Sequence, residues 1–239
     1  MVAVVVRCNT EGFYMTIFEI RGGIPLNGRV AAEGNKNAVL PMIAAALLTD
    51  QPVTLQNVPD IGDVRTMLRI ADALGVRIVR DFEAATLTMQ ADTLNDHRLP
   101  AELCTEVRAG ILFAAPLLHR RRGAVMTPPG GDVIGRRRLD SHLYGLHALG
   151  AEISTEPLFV FKRPGAGLRG TDLFLPEASV TATAQVLMAA VMAEGRTVIR
   201  NAAAEPHIQD FALFLQQMGA SISGIGSNTL TVAGVKTLK

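Results

Sequence analysis

The chain has 239 residues, 49% hydrophobic and 19% charged, enough apolar material for one large globular domain or two small ones. A formal net charge of +1 gives no sign of a partner such as nucleic acid or an acidic membrane, and the local clusters Arg120–Arg122 and Arg136–Arg138 suit a small anionic ligand better. The two cysteines, Cys8 and Cys104, lack metal-ligand spacing, so no metal is expected and a reduced, cytoplasmic setting is the economical reading.

In chain order, "MVAVVV" begins like a signal peptide, but Arg7 interrupts it and no small-residue cleavage site follows. A strand-like "GRVAAE" (28–33) then leads into an apolar helix, "NAVLPMIAAALL". Its longest run, Ala38–Leu48, is too short to span a bilayer and reads as a buried core helix, so a soluble protein is expected. Next come a β-branched strand, "PVTLQNV", an amphipathic helix, "DVRTMLRIADALG", and a strand pair, "VRIVR" with "ATLTM". The same order returns with "RAGILFAAPLL", "GAVMTP" and the pair "AEISTE" with "LFVFK". It returns again with "TDLFLPE", "TAQVLMAAVMA", "RTVIRNA" and the pair "ASISGI" with "TLTVAG". Gly75, Gly150 and Gly219 close the amphipathic helices, as left-handed caps should, and lie 75 and 69 residues apart. The predicted class is α/β, with three repeated βαβαββ units around a pseudo-threefold axis.

Helix entrances attract anions, because their N–H groups are unpaired and the dipole is positive there. The first apolar helix opens after Gly34 with Lys36 and Asn37, and the third opens among Ser179, Thr181 and Thr183. Arg108 lies at a nearly equivalent point of the second. A cation in a first turn is electrostatically awkward unless it is simply solvated. Two in matching positions suggest a shared anion. The stretch "TPPGGDVIGRRRLDSH" (127–142) sets Asp132 at a turn beside Arg136, Arg137 and Arg138. The bland reading of that aspartate is a turn residue capping its own backbone. His142, at the loop-to-helix junction, is placed to touch ligand; His207 reads as a surface histidine, and His97, His119 and His147 carry no signal.

"GNKNAVLPMIAAALL", "EVRAGILFAAPLL", "PPGGDVIGRRRLDSHLYGLHALGAEI" and "NAAAEPHIQDFALFLQQMGASISG" together resemble the UDP-N-acetylglucosamine enolpyruvyl transferases, from about Met15 to the C-terminus. Lys36-Asn37 separates that group from its shikimate-pathway sister, which usually has serine after the lysine. The resemblance implies an inside-out α/β barrel of two similar domains with the active site between them, and no cofactor. It implies transfer of enolpyruvyl from phosphoenolpyruvate to the 3-hydroxyl of UDP-N-acetylglucosamine, the committed step of peptidoglycan synthesis. Carried over, Lys36 and Asn37 contact phosphoenolpyruvate. Arg108, Arg137, Arg138, Leu139, Asp140 and Ser141 surround the substrates, with Arg137 on the phosphate. Glu177, Ala178, Ser179 and Val180 bind the uridine nucleotide. Asp132 stands where most of the family has a cysteine, the proton donor to C3 that fosfomycin alkylates, so fosfomycin resistance is expected. A carboxylic acid can fill that role, although neighbouring arginines favour its ionised form.

The family's members are nearly twice as long. The resemblance therefore leaves most of a second domain missing, with residues 1–14 lacking a counterpart, 15–35 a strand region entering from that domain, 36–232 the three-repeat domain and 233–239 a crossover. A C-terminal half as a separate chain is a possible partner. Glu177 stands where lysine is common and His207 where glutamate is frequent. A UDP-sugar-binding module without catalysis, or a relative using another sugar nucleotide, thus remains an alternative.

Overall fold

The computed structural model describes residues 2–8, 14–20, 22, 23, 25, 27–131 and 138–239. Two compact units are present, Met1–Ala32 and Glu33–Lys239. In the first, β1 (Val2–Cys8) pairs antiparallel with β2 (Tyr14–Ile20), from Val2 opposite Ile20 to Cys8 opposite Tyr14. The strand in the region expected to enter from a second domain thus pairs with its own N-terminal neighbour. The valine-rich run before it has the β propensity to form a local hairpin.

The second unit opens with α1 (Lys36–Ala45), which tightens into a 3-10 turn at Ala46–Leu48. After it come β3 (Val53–Leu55), α2 (Gly62–Ala73), β4 (Arg77–Asp81) and β5 (Thr86–Gln90). The middle stretch holds α3 (Ala101–Glu106), a 3-10 segment Arg108–Phe113, α4 (Ala114–Arg120) and β6 (Gly123–Met126). It continues through α5 (Asp140–Ala148), β7 (Glu152–Ser154) and β8 (Phe159–Lys162). The last contains β9 (Asp172–Phe174), α6 (Val180–Ala190), β10 (Arg196–Arg200), α7 (Pro206–Gln217), β11 (Ser221–Ser223) and β12 (Thr229–Ala233). The strands form separate sheets, β3-β5-β4, β6-β8-β7 and β9-β10-β12-β11. Each strand pair read from the sequence forms an antiparallel pair, and β9 adds parallel to β10. Gly75, Gly150 and Gly219 follow α2, α5 and α7 with φ of 96°, 96° and 103°, a backbone only glycine adopts without strain.

Two expectations fail locally. "GRVAAE" forms no strand: residues 28–33 are irregular and Val30 is 97% exposed. The corresponding "TDLFLPE" does form β9, because Leu173 and Leu175 anchor it in the core, whereas 28–33 offers one β-branched residue and two alanines. "RAGILFAAPLL" is not one helix either. Gly110 lowers its helix propensity, and Pro116 is best accommodated in a first turn, so α4 starts only at Ala114.

Helices α1, α4 and α6 are rich in buried alanine, which lets their backbones approach closely. The last turn of α4 fastens its neighbours. His119 Nε2 lies 2.9 Å from the carbonyl oxygen of Ala189 in the last turn of α6. Arg120 donates to the carbonyls of Leu47 and Ala91, at 3.2 and 2.8 Å. The carbonyls of Leu47 and Ala189, near helix ends and otherwise orphaned, are thereby satisfied, as is that of Ala91 just past β5.

Candidate active site

The first candidate side chains sit where α1 begins. Asn35 caps it, its Oδ1 accepting the N–H groups of Asn37 at 2.8 Å and Ala38 at 3.2 Å. Gly34 before it is held so close to the neighbouring loop that a Cβ would lie 1.8 Å from the carbonyl oxygen of Asn57. That pins Lys36 and Asn37 at the helix entrance. The awkward cation has a protein partner: Lys36 Nζ lies 2.9 Å from Oδ2 of Asp63, in the first turn of α2. A carboxylate is favourable at that helix end, so one residue serves both the dipole and the lysine.

Two neighbouring clefts lie over this entrance. One, of about 130 Å³, is lined by Lys36, Asn37, Asp63, Glu106, Arg108 and Gly131, with Thr181 at its edge. The other, of about 490 Å³, is lined by Asn37, Arg108, Arg138, Glu177, Ala178, Ser179, Val180, Thr181 and His207. Asn37, Arg108 and Thr181 border both. Among the described residues of the smaller cleft, two cations face two carboxylates. Glu106 is held by Thr66 Oγ1 and Arg69 Nη1, both at 3.0 Å.

Arg108 is the first residue of the 3-10 segment rather than of an α-helix, and the loop is anchored on either side of it. Upstream, the N–H groups of Gly130 and Gly131 donate to the carbonyls of Cys104 and Thr105, at 2.9 and 3.1 Å. A Cβ on Gly130 would fall 2.0 Å from that Thr105 oxygen. Downstream, Arg108 Nη2 donates to the carbonyl of Arg138 at 2.8 Å. Asp132, Arg136 and Arg137 lie between these anchors, outside the described residues. Arg138 lines the larger cleft and approaches Asp140 at 3.6 Å. Leu139 packs on the core and Ser141 is only 5% exposed; neither they nor Asp140 line either of these two clefts.

His142 does not face ligand space. It is 1% exposed in α5, and burial pushes its pKa down to about 4, reinforced by the nearby Arg108 charge and opposed by a hydrogen bond to Gln185. Its Nδ1 meets Gln185 Oε1, its Nε2 lies 3.0 Å from Thr181 Oγ1, and Gln185 Nε2 donates to the Ile111 carbonyl at 2.9 Å. Ser179 caps α6 by accepting the Ala182 N–H at 3.3 Å, and buried Thr183 accepts the Ala203 N–H at 2.9 Å. His207 is no mere surface residue: it lines the larger cleft, with its Nε2 buried and without a protein partner. Sequence reasoning also missed Asp63 and Glu106. The only local trace of Asp63 is an acid at a helix start. Among the described residues, no cluster of His, Cys, Asp and Glu could hold a metal ion, and no helix is long and apolar enough to cross a membrane.

This fold has counterparts. Residues 20–239 match the family model described as EPSP synthase (3-phosphoshikimate 1-carboxyvinyltransferase), and the chain belongs to that family. It is 51% identical over 92% of its length to a UDP-N-acetylglucosamine 1-carboxyvinyltransferase of Treponema denticola, and 53% identical over 94% to that of Treponema pallidum. It spans about half the length of these relatives, 51% and 52%. Among solved structures, the enolpyruvyl transferase NikO from Streptomyces tendae superposes with a TM-score of 0.76 at 22% identity, over 90% of this chain and 50% of that one. EPSP synthase from Acinetobacter baumannii gives 0.68 at 19% identity, over 88% and 48%.

Proposed function

We propose that this chain is the N-terminal half of a transferase moving enolpyruvyl from phosphoenolpyruvate to the 3-hydroxyl of UDP-N-acetylglucosamine, with release of phosphate, in peptidoglycan synthesis. One observation carries the reading: Lys36, Asn37 and Arg108 converge on a cleft that adjoins a second one bordered by Glu177–Val180. The names of the relatives support the same acceptor. In this reading phosphoenolpyruvate occupies the smaller cleft and the uridine nucleotide the larger.

The sugar hydroxyl adds to C2 of phosphoenolpyruvate while C3 takes a proton, and phosphate leaves from the tetrahedral intermediate. Lys36, Arg108 and Arg137 stabilise charge moving onto phosphate, and arginine's planar fork suits either phosphate or carboxylate. Asp132 is the proton donor to C3 and lacks the thiol that fosfomycin would alkylate. The unit from residue 36 to 232 is three repeats of an inside-out barrel, of which the last has the full βαβαββ order and the first two lack the opening strand. Residues 233–239 cross to a second domain, which supplies the remaining groups, and the enzyme works in the cytoplasm.

The test is phosphate release from phosphoenolpyruvate with UDP-N-acetylglucosamine, by this chain alone and with a C-terminal half supplied from a Treponema relative. Release only with both halves is expected, insensitive to fosfomycin. Release with neither would favour a sugar-nucleotide-binding module. Release with another sugar nucleotide would trace to Glu177 and His207, which border the larger cleft.

A further inference from the structure

The buried chain through Gln185 and His142 fixes where a proton sits on a residue that faces the clefts. The Ile111 carbonyl can only accept, so the group of Gln185 facing it is the amide nitrogen, Nε2. Gln185 Oε1 therefore faces His142 Nδ1 and can only accept from it. A neutral imidazole carries one N–H, here on Nδ1, which leaves Nε2 as an acceptor. The hydroxyl proton of Thr181 must then point at His142 Nε2, 3.0 Å away. With its only proton committed inward, Thr181 Oγ1 presents lone pairs alone to the place where the two clefts meet.

We propose that Thr181 is a specificity-determining residue which accepts a hydrogen bond from an O–H or N–H of the sugar portion of the acceptor, oriented for that task by Gln185 and His142. This rests on the reading above, in which phosphoenolpyruvate and the nucleotide occupy the smaller and larger clefts, so that the sugar spans their junction. An oxygen offering only lone pairs repels a phosphate oxygen and rewards a hydroxyl or amide donor. Thr181 would thus sort the neutral sugar from the anionic groups on either side. His142 and Gln185 are positioning residues, since neither reaches the clefts.

The experiment compares UDP-N-acetylglucosamine and UDP binding to the wild-type chain, Thr181→Val and Thr181→Ser by titration calorimetry. Valine keeps the shape and loses the hydroxyl, so sugar-nucleotide affinity should fall roughly three- to tenfold, the range for one neutral hydrogen bond. UDP affinity should stay unchanged, and serine should restore the sugar preference. Equal weakening of both ligands, or no weakening of either, overturns the proposal while leaving the nucleotide assignment standing. Failure of the wild type to bind either ligand overturns that assignment, and this proposal with it. The relay is decided without any ligand by ¹⁵N spectra of His142: a proton on Nδ1 is expected, and one on Nε2 at neutral pH overturns the orientation of Thr181.

Discussion

Lys36 shows how a residue can be found from sequence while its circumstances are not. Its place in a first helical turn marks it as unusual, but Asp63 lies 27 positions further on and its ion pair exists only because α2 packs beside α1. Both side chains are nearly half exposed, so the pair contributes little to stability, about 1 kcal/mol at most. Its consequence is electrostatic: Asp63 competes with any arriving anion for the ammonium. Asp63→Asn should therefore leave the urea midpoint of the chain almost unchanged and tighten phosphoenolpyruvate binding a few-fold at low ionic strength. The gain should vanish in about 0.5 M salt, where screening acts over a few ångströms. Weaker binding in the variant would mean that Asp63 serves chiefly to hold Lys36 in place. Thr181 was visible in the sequence only as one of several hydroxyls at a helix entrance, because its partner His142 reaches it from another helix.

At the scale of elements, the sequence was legible wherever a local rule decides. Strand-like runs after each helix-closing glycine gave the strand pairs, and each of those glycines is a left-handed cap. It was illegible where packing decides, as for 28–33, whose expected strand has no buried residue to anchor it, and for Arg108, whose 3-10 segment depends on Gly110 and Pro116. The two glycines before Asp132 belong to both classes. Their sequence announces a turn, but not that Gly130 lies against the end of α3. A methyl group there meets backbone oxygen, which cannot swing aside as a side chain would. Gly130→Ala should cost roughly 1–3 kcal/mol in urea denaturation, as overpacking usually does, and displace the loop base beside Arg108. In the two-half assay it should lower phosphate release. Gly165→Ala, where an added Cβ meets nothing within 4 Å, is the control and should change neither. An unaffected Gly130→Ala would mean that the loop base is not held at that contact.

Across the whole molecule, two histidines tie the inner helices together as neutral groups. His119 fastens α4 to α6, and His142 fastens α5 to α6. Burial pushes each pKa from its ordinary 6.5 to about 4. Between those values the unfolded chain binds protons that the folded chain refuses, so stability rises with pH through that window and is lost as pH falls through it. Each gap corresponds to on the order of 3 kcal/mol, a large part of the stability of a typical domain. Carboxylates whose pKa values are lowered, among them Asp60 beside Arg65 and Asp172 beside Arg200, act in a lower range. Their stabilisation is present above their ordinary value near 3.8 and fades only in stronger acid. The two effects therefore separate along the pH axis. Urea midpoints followed by circular dichroism should be flat above pH 6.5 and drop steeply towards pH 4. His119→Gln, which keeps a donor for the Ala189 carbonyl without a titrating ring, should remove about half of that slope. A midpoint that stays level from pH 7 to 4 would mean that both rings accept protons in place, through an opening of the helix contacts that leaves the fold intact.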